Sequence, residues 1–236
     1  MAQAFNKFVK KYIGDIMEEE GFATYKTTEF IRLKENFNLL QSIGFTSGKS
    51  GGYRYLEIGY LPLFMPHQRN DIGSEIAGRM HDSPPYGWSQ LSWPVPMDSK
   101  EILDKSMASI RHVLLKYSIP YLNKYSTFED TLQMLEEDNS DVVPRIYHIL
   151  RARKSYYKGY FVLGTKDYFK AEKYFKEYYS LFGPEDRSNE ISRKYMEELE
   201  EVLEAIHSPP EIEEIMERNR QNTIEILNLK KYIDID

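Results

Sequence analysis

Five residues in one short stretch carry side chains suited to chemistry: His67, Asp71, Glu75, His81 and Asp82. Imidazole nitrogens and carboxylates at such spacing can share a divalent metal ion or pair as general acid and base. Metal centres, however, hold their ligands on rigid elements, and this stretch contains Gly73, Gly78, Pro84 and Pro85. No HExxH pattern accompanies it, so exposed loop residues are the simpler reading, with no metal, cofactor or catalytic residue assigned. Ligand recognition is a separate question, because loops set on a rigid scaffold are where binding residues concentrate. The candidate binding residues are therefore His67, Arg79 and His81 of the 62–85 loop, with the neighbouring Trp88 and Trp93.

A second tempting string is GFTSGKS, Gly44 to Ser50. A phosphate-cradling loop needs four residues between its first glycine and the Gly-Lys pair, and here three intervene. Such a loop also leads from a strand into a helix, whereas Tyr53–Leu63 reads as another strand. A hairpin connection is expected and nucleotide hydrolysis is not. No nucleophile elbow, kinase signature set or dinucleotide fingerprint is present. The acidic run Glu136-Glu137-Asp138 lacks the spacing and central glycine of a calcium loop and reads as a solvated linker.

The elements that would position these residues fall into two groups. Phe5, Phe8, Val9, Tyr12, Ile13, Ile16 and Met17 make one apolar helical stripe, stopped at Gly21. Thr24–Leu33 reads as a strand, Phe37–Thr46 alternates with period two, and Tyr53–Leu63 resumes as a third strand. Tyr86–Val95 offers a fourth, placed at an edge by Pro94 and Pro96. Asp98 with Glu101 resembles a capping box at the start of the next helix, Pro120 breaks the chain, and Ser126 with Glu129 opens a short helix through Leu135. The expected fold class is α+β: an antiparallel sheet of three to four strands flanked by helices over residues 1–137, followed by an all-helical array over 138–236. In the second part, 143–163, 165–181, 188–206 and 210–229 carry helical spacing, punctuated by Gly164-Thr165, Gly183-Pro184 and Ser208-Pro209-Pro210.

Composition excludes several classes. The 236 residues are 41% hydrophobic and 29% charged, an ordinary globular balance. There is no cysteine, which removes disulfides, thiolate metal sites and cysteine nucleophiles and fits a reducing, cytoplasmic setting. No apolar run reaches the length of a signal or membrane segment, so no membrane association is expected. A net charge of −6 gives no global reason to expect nucleic acid. Charge is nevertheless uneven: 143–183 holds nine Lys or Arg against three acids, and 184–217 holds three against twelve. Basic residues among 19 tyrosines could grip nucleic acid, but packing of a basic helix on an acidic one is the simpler account.

Within the helical part, Gly159, Ala171, Phe175 and Pro184 lie near the spacing of a single tetratricopeptide-type helix hairpin, and the segment resembles that repeat weakly. A broader likeness lies upstream. An amphipathic helix ends in Gly21-Phe22. Phe30-Ile31-Arg32, Asn38-Leu39-Leu40-Gln41 and Tyr55-Leu56-Glu57-Ile58-Gly59 follow, then Trp93, a helix from Ser99, Pro120-Tyr121-Leu122 and Tyr125-Ser126. Over roughly the first 135 residues this order resembles the bacterial family catalogued as domain of unknown function 4304. The resemblance implies a bacterial, cytosolic α+β domain and supplies no mechanism. The function expected is a protein-interaction or binding module with a protein partner, in the manner of an immunity or defence accessory. The alternative is an enzyme or a metal-dependent ligand binder using the 62–85 loop. Oligomeric state stays open.

Overall fold

The computed structural model describes residues 2–47, 52–67, 72, 76–79, 92–95, 99–137, 151–182 and 190–233. The chain begins with α1 (Ala2–Glu19), whose Phe5, Val9, Ile13, Ile16 and Met17 are buried along one face. Gly21 follows at φ +75°, the left-handed conformation that costs glycine nothing. Next come β1 (Ala23–Lys26), β2 (Glu29–Lys34), β3 (Leu39–Ser47) and β4 (Tyr53–Pro62). The stretch expected as one strand over 24–33 is thus a tight hairpin. Thr27-Thr28 make its turn, and β1 bulges between Thr24 and Lys26. β-Branched and aromatic residues favour a strand on both sides of that turn, so composition alone could not show the break.

All strands pair antiparallel in the order β1-β2-β3-β4-β5, and β5 (Ile76–Arg79) and β6 (Trp93–Pro94) both pair with β4. The pairing of Ser47 with Arg54 makes the glycine-rich string a hairpin connection, as its flanking strands required. Between β2 and β3 the chain turns through Glu35, Asn36 and Phe37, all at positive φ (53°, 51° and 63°). Residues directly paired across an antiparallel ladder share a face. Phe30, Ile43 and Ile58 accordingly form one apolar row beneath α1, and Arg32, Gln41 and Tyr60 form a polar row beside it.

That polar row is buried and tied to the helices above it. Arg32 Nε donates to Gln41 Oε1 at 2.7 Å, its Nη1 donates to the Glu20 carbonyl at 3.1 Å, and its Nη2 reaches Asn123. Gln41 Nε2 donates to the carbonyls of Leu122 and Tyr125. A buried guanidinium is costly unless its donors are met, and here neutral acceptors meet them.

After the sheet come α2 (Lys100–Val113), a π-helical turn (Leu114–Ser118), α3 (Ile119–Lys124) and α4 (Phe128–Glu137). Ser99 caps α2, its hydroxyl accepting from the Ile102 amide, while Asp98 lies outside the described residues. Thr127 caps α4 through the Asp130 amide. Pro120 does not break the chain. The π turn carries the Ile119 amide to the Leu114 carbonyl, one residue beyond the α pattern. Pro120 thereby falls at the start of a fresh helical segment, where its missing N–H costs least.

The C-terminal part contains α5 (Arg151–Gly164), α6 (Tyr168–Tyr179), α7 (Glu190–Ala205), α8 (Pro209–Ile226) and α9 (Lys230–Ile233). Ser155, Tyr156, Tyr157, Tyr160, Phe161, Val162 and Leu163 are all buried, which makes α5 the central helix of this half. Gly159 is where α6 comes closest, since a Cβ there would lie 2.3 Å from the Phe175 ring. The two parts share one continuous core. Phe128 of α4 packs against Phe64 at 5.4 Å and against Phe161 of α5 at 6.1 Å between ring centres. At the far end, Tyr25 donates to the Leu227 carbonyl at 2.7 Å, and Tyr232 donates to the Thr24 carbonyl at 2.8 Å. This reciprocal clasp holds α8 and α9 against the edge strand β1.

Candidate functional site

The segment leaving β4 reads in sequence as the start of a polar loop, yet its first residues are a buried strap. Leu63, Phe64 and Met65 are all in the core, and the Leu63 amide donates to the Asn38 carbonyl at 2.8 Å. Thr223 of α8 closes on the strap by donating from its hydroxyl to the Met65 carbonyl at 3.4 Å. Pinned in this way, the strap delivers Pro66 and His67 to the side of α8. His67 is only 6% exposed.

There the two residues form one wall of a cleft of about 360 Å³. The other walls come from two helix faces. Lys194 and Glu198 stand one turn apart on α7. Asn219, Asn222 and Ile226 follow at three- and four-residue steps on α8, flanked by Glu225. Helices α7 and α8 are joined by a short connection, and a bidentate ion pair from Arg218 to Glu201, at 2.8 and 2.6 Å, fixes their register. The cleft lies beyond that pair, at the open end of the hairpin. Its volume is within the usual range for ligand sites, roughly 300–1,000 Å³.

Behind the cleft lies the tyrosine cluster of the helical core. Tyr156 meets Tyr157, Tyr160, Tyr178 and Tyr195 at ring-centre distances of 5.7, 5.0, 5.0 and 6.1 Å. The hydroxyls of Tyr156 and Tyr160 approach each other without reaching good hydrogen-bond geometry. Burial raises both phenols well above their ordinary value of 10.0, and the Glu198 carboxylate adds to the rise. Glu198 therefore stands between the cleft and a wall of neutral, proton-bearing phenols.

Chemically, the cleft offers one imidazole, two carboxylates, one ammonium and two amides. Among the described residues its lining includes no hydroxyl or thiol. Among the described residues, no group of three His, Cys, Asp or Glu side chains is placed to hold a metal ion. The arrangement is suited to hydrogen-bonded and charge-assisted recognition.

Of the candidate residues from the sequence whose side chains the structure describes, His67 lines this cleft and Trp93 does not. Trp93 is fully buried in β6, its indole N–H donating to Ser109 Oγ at 2.9 Å, so it has no surface to present to a ligand. Arg79 ends β5, with its backbone paired to Glu57. His81 and Trp88 lie outside the described residues, as do Asp71, Glu75 and Asp82. Lys194, Glu198, Asn219, Asn222 and Glu225 escape a motif search because each sits on a helix whose polar face reads as solvated. One signal was available. Asparagine is a poor helix former, and two of them three residues apart inside α8 mark a face kept polar for something other than helix stability.

No family model, curated protein or solved structure matches the chain. Among the described residues, no helix is long and apolar enough to cross a membrane.

Proposed function

We propose that this protein is a binding module that engages a partner protein, and that the cleft between the β4 strap and the α7–α8 hairpin is its recognition element. The observation that carries the reading is the convergence of six polar side chains from three separate elements on one cavity. A continuous core and a pinned strap hold those elements in place, so the site is formed before any partner arrives. The buried tyrosines support protein binding over nucleic-acid binding. Tyr156, Tyr157, Tyr160 and Tyr178 are committed to the core and offer no faces on which bases could stack.

The enzyme reading draws on one observation, the presence of His67 with Glu198 and Glu225 in the cleft, the groups that general acid–base chemistry uses. No hydroxyl or thiol nucleophile stands beside them among the described lining residues, and the polar convergence is read as a binding site. The test is site-resolved photocrosslinking in the native host. A photoreactive residue at Asn222 is expected to capture a discrete protein that the same residue at the exposed Leu115 does not. Identical adducts at the two positions, or none at Asn222, would overturn the proposal.

A further inference from the structure

The asparagine pair on α8 is the part of the cleft that the fold itself leaves unused. Among the described residues, neither the Asn219 nor the Asn222 carboxamide makes a hydrogen bond, although both line the cavity. Gln221, exposed on the same helix, instead donates to Glu217 one turn back. A carboxamide carries a donor and an acceptor on one planar edge, so it can pair with another amide at two points. The rest of the lining has the same two-sided character, with Lys194 of α7 supplying donors and Glu225 of α8 supplying acceptors. Glu198 is already engaged within the fold, where its carboxylate bears on the Tyr156 and Tyr160 phenols.

The spacing of the pair selects among amide ligands. Residues three apart on a helix hold their Cβ atoms roughly 5–6 Å apart on one side. In an extended chain the N–H and C=O of every second residue point the same way, a repeat of about 6.6–6.8 Å. Rotation about the side-chain bonds of each asparagine absorbs the difference. A helical ligand fits less well, because its own amides are already paired inside it. One helical turn, roughly 10 Å across and 5.4 Å long, also displaces about 420 Å³, more than the whole cleft of about 360 Å³.

Resting on the binding reading above, we infer that the cleft's occupant is an extended segment of the partner protein, held by its main chain. Asn219 and Asn222 each pair with the N–H and C=O of one of two alternate residues. Lys194 donates to a further carbonyl, and Glu225 accepts from a further N–H. Pro66 and Ile226, the latter 39% exposed, give the segment's side chains apolar contact. Main-chain hydrogen bonds then supply the affinity, and the side-chain contacts supply the choice of segment.

The probe is acetyl-triglycine N-methylamide, which is main chain and little else, with a counterpart carrying ester oxygens in place of its N–H groups. Each is titrated into the isotope-labelled full chain and followed by NMR. The side-chain amide signals of Asn219 and Asn222 are assigned by their loss in the single alanine variants. The triglycine is expected to shift both signals saturably, and the ester to bind at least about five-fold more weakly. Asn219→Ala with Asn222→Ala should cost about ten-fold, read from the backbone signals of Lys194 and Ile226, whereas Gln221→Ala should change affinity by less than about two-fold. Alanine is the better helix former, and thermal unfolding of the variants checks that the fold is kept. No saturable shift, equal binding of the ester, or equal losses from the asparagine pair and from Gln221→Ala would overturn the inference. The two proposals fail separately. A photoreactive residue at Ile226 leaves both asparagines in place. A discrete partner captured there, with no saturable shift from the triglycine, sinks the main-chain mode and leaves the binding module standing. No specific adduct at either Ile226 or Asn222 sinks the module itself.

Discussion

A methyl group on Gly159 would meet the Phe175 ring at 2.3 Å, and that ring has nowhere to go. Phe175 is fully buried and held edge-on to Tyr160 at 5.0 Å between ring centres. Gly159→Ala is therefore expected to lower unfolding stability by roughly 1–3 kcal/mol, through overpacking of the α5–α6 contact. A urea midpoint measures the loss, and adding Phe175→Leu should restore part of it. The close approach was readable in advance, since the spacing of Gly159, Ala171 and Phe175 already pointed to a helix hairpin. The fate of Trp93 was not. A tryptophan beside a proline at a sheet edge looks the same in sequence whether it faces a ligand or, as here, donates to Ser109 inside the core. His67 was found by residue type, and its cleft partners lie more than 120 residues away in the chain. No local pattern carries that kind of proximity.

The elements follow the sequence where one signal acts alone and depart from it where two compete. The α1 stripe, the glycine cap and the punctuation around Ser208 all have one meaning each. Pro120 had two, and the π turn before it let the helix continue where a break was expected. The Leu63–Met65 strap was hidden because three apolar residues flanked by prolines fit neither helical nor strand periodicity. Between elements, Glu136 at the end of α4 binds α6 by accepting from the Tyr174 hydroxyl and pairing with Lys170. Burial pushes this carboxyl up, but the Tyr174 hydroxyl and the Lys170 ammonium outweigh it, and the net direction is down from 4.5. A carboxyl lowered by folding stabilises fully above its unfolded value, and that contribution is lost as pH falls through the folded one. Wild-type stability should therefore drop below about pH 4.5 by more than that of Glu136→Gln, which has already lost the proton-linked part at neutral pH. Urea titrations of both proteins at neutral and acid pH compare the two slopes; parallel curves would remove the claim.

At the scale of the molecule, the sheet-and-helix part and the helical part were legible as a strand-bearing stretch followed by one of helical spacing alone, but their fusion into one core was not. The contacts that fuse them span up to 208 residues of sequence, as in the clasp of Tyr232 on Thr24. The clasp and the cleft are linked through α8, which ends in the first and lines the second. Removing both clasp hydroxyls, by Tyr25→Phe with Tyr232→Phe, is expected to cost about 1–3 kcal/mol for the two hydrogen bonds. It should also speed amide hydrogen exchange in α9 and the last turn of α8 before that in β3 or β4. Exchange that quickens uniformly would mean the clasp contributes only to global stability and does not steady the cleft.

The turn at Glu35, Asn36 and Phe37 has a consequence for how the chain folds. Three successive side-chain-bearing residues in the left-handed region cost on the order of 1 kcal/mol each, so this loop resists closing by itself. Many hairpins are seeded at their turns. Here β2 and β3 must instead be brought together by their own apolar rows, with the turn drawn into shape last. Nucleation is then expected at β3 and β4, which share the longest ladder of the sheet, with the loop between β2 and β3 closing after the folding barrier is crossed, so that substitutions in that loop should change the unfolding rate more than the folding rate.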